Sequence, residues 1–100
     1  MLLVKRIASL FPFLKFRIEE TSMSPYLKPG DIVIILKSKN IENNNVVVFD
    51  RSGDYFVKRV KKVKDNKVFL EGDNKKESID SRKFGWLDKK DIIGKIVYKF

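Results

Sequence analysis

The 100-residue chain contains no cysteine and no histidine. The first absence excludes a disulfide framework, a thiolate nucleophile and any cysteine-ligated metal site. The second removes Ser-His-Asp and Cys-His catalysis, HExxH zinc chemistry and every imidazole acid or base. If the chain catalyses a reaction, its general base must therefore be a carboxylate, a lysine or a tyrosine. No metal and no cofactor is expected. The chain also lacks an apolar run long enough to span a bilayer, internal repeats and a linker, and its length suits one domain with a thin core.

What is abundant is positive charge. Twenty-two Lys and Arg face 13 Asp and Glu, a formal net charge of +9, and 17 of the 22 are lysines. Lysines spread over a small β-rich surface confer solubility and protect sheet edges. Lys58, Arg59, Lys61, Lys62, Lys64 and Lys67 cluster against Asp65 alone. A nucleic-acid groove interleaves such cations with aromatic side chains. Here the spacers are Val60, Val63 and Asn66, so no nucleic acid is expected as partner.

Residues 1–17 carry Lys5, Arg6, Lys15 and Arg17 and no acid. Leu3, Ile7, Leu10 and Leu14 fall on one helical face, and Pro12 should end such a helix near Phe11. Ten helical residues rise about 15 Å, half of a bilayer core of about 30 Å, so this segment does not span by itself. No small-residue cleavage site marks it as a signal peptide. It reads as a basic amphipathic anchor lying on a membrane surface, or as a short helix or strand docked on the domain. Peripheral membrane association or a cytoplasmic location follows.

From Phe13 the pattern is β. Phe13–Ile18 alternates, Ile32–Leu36 is a continuous apolar run that reads as a buried strand, and Val46–Phe49 is a further strand after the Asn43–Asn45 turn. Tyr55–Val63 is flanked by two hairpin turns, Ser52-Gly53-Asp54 and Asp65-Asn66, with Lys67–Leu70 following the second. Residues 72–90 are polar and irregular, and Ile92–Val97 closes the chain as a strand. The fold class is mainly β: a small antiparallel sheet or partial barrel, with residues 1–17 as an N-terminal segment and 18–100 as the domain.

Three segments could carry chemistry. Ser22 follows a strand and precedes Pro25, which leaves its hydroxyl exposed at a strand end; the same pattern suits a helix-capping serine. Lys58 shares a strand face with Phe56 and Val60, where desolvation disfavours the ammonium, as does nearby positive charge. A lysine so depressed can serve a serine hydroxyl as general base, whereas a snorkelling lysine keeps its ammonium in water. Ser78, Asp80 and Arg82 alternate in a polar loop. Ser78 could reach a lysine amine, and Asp80 with Arg82 could pair and fix the loop, or all three could belong to a surface loop.

Taken in order, these segments resemble the type I signal peptidases, serine endopeptidases with a Ser-Lys dyad. Ser22-Met23-x-Pro25, with Leu27 and Pro29-Gly30-Asp31 behind it, is similar to the nucleophile box. Lys58-Arg59-Val60 is similar to the general-base box. Gly72-Asp73-Asn74, Ser78-x-Asp80-Ser81-Arg82 and Gly85 are similar to the third box, and Ile93–Val97 to the closing strand. The resemblance implies Ser22 as nucleophile, Lys58 as base, Ser78 orienting the lysine amine, and the Ser22 N–H as an oxyanion donor. It implies Asp80 and Arg82 as structural supports, Met23 lining the substrate pocket, and a precursor protein with an N-terminal signal or propeptide as partner. Glu20 stands where many bacterial members carry a hydroxyl that helps the oxyanion hole, and Lys61–Lys67 replaces a glycine-rich turn. The large secondary β domain and a membrane-spanning leader are missing, so the form resembles compact relatives such as the maturation protease of nickel-type superoxide dismutase. Two other readings compete. Self-cleaving repressors share the machinery but cut an Ala-Gly or Cys-Gly bond, and here the single alanine, Ala8, precedes Ser9. A basic β module that binds nucleic acid or a protein partner would need no dyad.

Overall fold

The computed structural model describes residues 4–100, with side chains from Phe11 onward. Eight strands form one sheet in the order β1-β2-β3-β8-β4-β5-β6-β7, every neighbouring pair antiparallel. The strands are β1 (Val4–Leu10), β2 (Phe13–Ile18), β3 (Ile32–Leu36), β4 (Val46–Arg51), β5 (Asp54–Lys64), β6 (Lys67–Glu71), β7 (Leu87–Asp88) and β8 (Ile92–Lys99). The mainly β, antiparallel, single-domain architecture matches the sequence expectation.

Both expected hairpins form. Arg51 pairs with Asp54 across Ser52-Gly53, whose φ values of 57° and 89° are those of the tight turn that matches strand twist. Lys64 pairs with Lys67 across Asp65-Asn66. The apolar runs sort differently from expectation. In β4, Val46, Val47, Val48 and Phe49 are all buried, because this central strand has core on both faces. In β3 only Val33 and Ile35 are buried, while Ile32, Ile34 and Leu36 are half-exposed. The continuous apolar run there does not make it a fully buried strand.

For the N-terminal segment the structure takes the docked-strand alternative and overturns the helical face. Residues 4–10 are not helical; they form β1, which adds to the edge of β2 in a hairpin. A bulge between Arg6 and Ala8 shifts the register by one residue, and that shift breaks the two-residue period a strand would show in sequence. Leu3, part of the expected helical face, lies outside the described residues. Among the described residues no helix is long and apolar enough to cross a membrane.

Two apolar clusters fill the fold. One joins Leu14, Phe16 and Ile18 of β2 to Met23, Leu27, Val33, Ile35, Val46, Val48 and Val57. The other joins Ile41, Val47, Phe49, Val60, Val68, Leu70 and Ile92. Strand β5 contributes Val57 to the first and Val60 to the second, and Lys58 lies between these two residues on the chain. The polar 72–90 segment is more ordered than expected: it holds a four-residue helix α1 (Ser81–Phe84), two single 3₁₀ turns and β7.

Candidate active site

Ser22 is placed by the segment that leaves β2. Ile18 closes this loop at its base, donating its N–H to Asp31 O at 2.9 Å and accepting from Gly30 N at 2.8 Å. Met23 and Leu27, both fully buried, pin the loop into the core, and the Met23 carbonyl accepts the Leu27 N–H. With its neighbour so anchored, Ser22 has little freedom and is itself 1% exposed.

Lys58 comes from the middle of β5, opposite Val47. It is also 1% exposed. Its Nζ lies 2.7 Å from Ser22 Oγ, in hydrogen-bond contact, and 3.3 and 3.5 Å from the two Glu20 carboxylate oxygens. Burial pushes the Lys58 amine below its ordinary value; the Glu20 carboxylate, by charge and hydrogen bond, and the charge of Asp80 act against that push. The expected pairing of Ser22 and Lys58 is therefore present in the geometry, 36 residues apart in the chain.

The third segment closes over the other side. Asp80 is fully buried and caps α1 by accepting from Arg82 N at 3.1 Å. It further accepts from Arg82 Nε at 2.9 Å, Arg82 Nη2 at 3.0 Å, Gly72 N at 2.8 Å and Ser78 Oγ at 2.6 Å. Burial alone would raise this carboxyl; the bonds from Arg82, Ser78 and the two N–H groups overcome it and hold the group well below the usual carboxylate range. Asp80 and Arg82 are thus bonded to each other within the loop. Ser78 belongs to the same cluster: its hydroxyl is directed at Asp80, and no Ser78–Lys58 hydrogen bond is present among the described residues.

The loop is stitched to the nucleophile segment. Asn74 donates its N–H to Ser22 O at 2.8 Å and its side-chain amide to Thr21 O at 3.1 Å. Asp73 N donates to Met23 Sδ at 3.4 Å. Met23, expected to line the substrate pocket, has no exposed surface in the free protein and lies in the core beneath Ser22. Gly72 has no room for a side chain: an added Cβ would come within 2.3 Å of Ser78 Oγ and 2.7 Å of Ser22 O.

Two contributions went unread in the sequence. Arg59, next to Lys58, grips Asp73 through two 2.9 Å bonds and ties the second segment to the third. This bidentate pair, chiefly by its hydrogen bonds, holds the Asp73 carboxyl below its ordinary value. Glu20 marks a departure from the family pattern in the sequence, and its contact with Lys58 is visible only in the structure. The sequence signal for both is position: Glu20 lies two residues before Ser22, and Arg59 directly follows Lys58.

Among the described residues no group of three or more Asp or Glu is placed to hold a metal ion. A cavity of about 530 Å³ is lined by Lys39, Asn66, Asp88, Lys89 and Lys90 and includes neither Ser22 nor Lys58. The family model described as Peptidase S24-like matches residues 13–97. No curated protein matches the chain.

Proposed function

The chain belongs to the Peptidase S24-like family, a family of serine peptidase-like hydrolases, and on that premise we propose that it is an endopeptidase in which Ser22 and Lys58 form the catalytic dyad. The observation that carries this reading is the 2.7 Å contact between two side chains that are both removed from water. A neutral Lys58 takes the Ser22 proton as Oγ attacks the scissile carbonyl. The ammonium so formed returns the proton to the leaving amine, which departs and leaves an acyl-enzyme at Ser22. Lys58 then takes a proton from water as the water oxygen attacks the acyl carbon, and returns that proton to Ser22 Oγ as the Oγ–acyl bond breaks, which releases the acid and restores the neutral dyad. The Ser22 N–H supplies an oxyanion donor in this scheme.

The substrate we propose is a precursor protein that loses an N-terminal signal or propeptide, cut after a small residue. The order of the three segments supports this, since it resembles the type I signal peptidases and their compact relatives, the maturation protease of nickel-type superoxide dismutase among them. Peripheral contact with an anionic membrane surface is part of this proposal, supported by the net positive charge of the chain and not by an amphipathic helix. Members of the same family include self-cleaving repressors. In this chain the sole alanine precedes Ser9 and no cysteine exists, which favours cleavage of a separate chain.

Co-expression with candidate precursors, followed by membrane fractionation and N-terminal sequencing, tests the proposal. Wild type should release a defined new N-terminus on the precursor and keep its own mass, and Ser22→Ala should release none while folding normally. Precursor cleavage by Ser22→Ala would overturn the nucleophile assignment. Loss of mass from the wild-type chain itself would replace precursor processing by self-cleavage.

A further inference from the structure

We propose that Glu20 is the positioning residue of the dyad, holding the Lys58 Nζ against Ser22 and balancing the ammonium that forms when Lys58 accepts the serine proton; this rests on reading Ser22 and Lys58 as nucleophile and base. The two Glu20 oxygens lie 3.3 and 3.5 Å from Nζ, on an amine whose other hydrogen bond among the described residues is to Ser22 Oγ. The Glu20 side chain is 9% exposed, so the pair is shielded from solvent and from salt.

The charged groups that face Lys58 are few. From the loop after β2 comes Glu20, and from the third segment comes Asp80. Asp80 is already saturated by Arg82, Ser78 and the N–H groups of Gly72 and Arg82. Its charge is matched by the Arg82 guanidinium, so it has little left to offer a second cation. Arg59, the next basic residue on β5, is engaged by Asp73. Opposite Lys58 on β4 stands Val47, which is apolar. Among the described residues, Lys58 is the cation in contact with Glu20.

The position of Glu20 also decides what it does not do. A carboxylate beside the nucleophile cannot donate to the tetrahedral oxyanion and would repel it. The group that this negative charge favours is the ammonium. It therefore has two opposed effects. In the free protein it raises the fraction of Lys58 that is charged and unable to accept a proton. Once the proton is transferred, it stabilises the product of that transfer, as the carboxylate of a Ser-His-Asp triad stabilises its imidazolium. Ser78, directed at Asp80, leaves the orienting role to Glu20.

The test is the titration of Lys58, followed by NMR of ¹³Cε-labelled lysine in the full chain, in wild type, Glu20→Gln and Glu20→Asp. Removing an opposite charge this close should lower the Lys58 midpoint by about 1–3 pH units. Glu20→Asp, which keeps the charge, should return it most of the way to the wild-type value. The rate at which a fluorophosphonate labels Ser22 should follow: in Glu20→Gln its alkaline limb moves to lower pH by the same interval, and its plateau falls tenfold or more. Glu20→Ser is a second neutral variant with the same expected shift, and whichever neutral variant folds suffices. An unchanged Lys58 midpoint, or a shift equal in Glu20→Asp and Glu20→Gln, overturns the proposal. If the fluorophosphonate fails to label Ser22 in wild type at any pH, the nucleophile reading falls instead, while the lysine midpoint still decides whether Glu20 governs Lys58.

Discussion

Lys58 is the residue on which the site turns, and its burial has a thermodynamic signature. Its folded amine titrates below its ordinary value, mainly through burial, whereas in the unfolded chain it titrates near 10.4. Below the folded midpoint both states are protonated, and the cost of a buried ammonium weighs fully on the folded state. Between the two values the unfolded chain binds more protons, so stability gains from this group as pH rises. Replacing the pair by Lys58→Met/Glu20→Gln removes the cost without leaving Glu20 unpaired. At pH 7 the double variant should be neutral or more stable than wild type by about 1–4 kcal/mol. Urea unfolding from pH 6 to 10 should show that advantage shrinking; an advantage constant across the range would mean Lys58 does not titrate there. Lys58→Met alone should be less stable than the double variant, because it strands the Glu20 carboxylate.

At the scale of elements, the site exists because three segments meet, and Gly72, just after β6, is where the first and third pack with no room for a side chain. An added Cβ would collide with Ser78 and with the Ser22 carbonyl, which are backbone or short side chains with little room to give. Gly72→Ala should cost about 1–3 kcal/mol of stability and, by displacing Ser22 relative to Lys58, about a hundredfold in rate. Gly53→Ala is the control. Gly53 has a φ of 89° but open space around its Cβ position, so it should lose about 1–2 kcal/mol and keep its rate. Equal rates in the two variants would show that the contact at Gly72 does not set the dyad.

Elements were legible in the sequence where local patterns agree with tertiary demand. Ser52-Gly53 and Asp65-Asn66 are two-residue turns that any context would use in the same way. Val46–Phe49 and Ile32–Leu36 look alike in sequence, yet only β4 has core on both faces, because burial of a strand is decided by its neighbours. Residues 4–10 mislead for a different reason: the bulge after Arg6 hides the strand period, and pairing with the edge of β2 outweighs the helical spacing of Ile7, Leu10 and Leu14. Ser22 and Lys58 were readable because each sits in a recognisable segment. The Glu20–Lys58 and Arg59–Asp73 pairs depend on two loops reaching the same strand, β5, which spacing does not encode.

At the scale of the molecule, a chain measuring 30 × 29 × 23 Å carries two apolar clusters, and the proposed dyad has near chain neighbours in both, at their junction on β5. Met23 and Val57, the chain neighbours of Ser22 and Lys58, belong to one cluster, and Val60 belongs to the other. A small β domain has few places where a lysine can be drawn this far from water, and this junction provides one. The net charge of +9 lies largely on lysines outside the site, where it serves solubility and encounter with anionic surfaces rather than catalysis. The family match over residues 13–97 covers both clusters and all three site segments.

The central claim is that a neutral Lys58 activates Ser22. It is tested most directly by the pH dependence of Ser22 labelling by a fluorophosphonate, followed by intact mass from pH 6 to 10 in wild type and Lys58→Arg. A guanidinium keeps the positive charge but stays protonated throughout this range. The account predicts a wild-type rate that rises through one ionisation on the alkaline side of neutrality, and no labelling of Lys58→Arg at any pH. A flat wild-type profile, or labelling of Lys58→Arg at a rate near that of wild type, would contradict it.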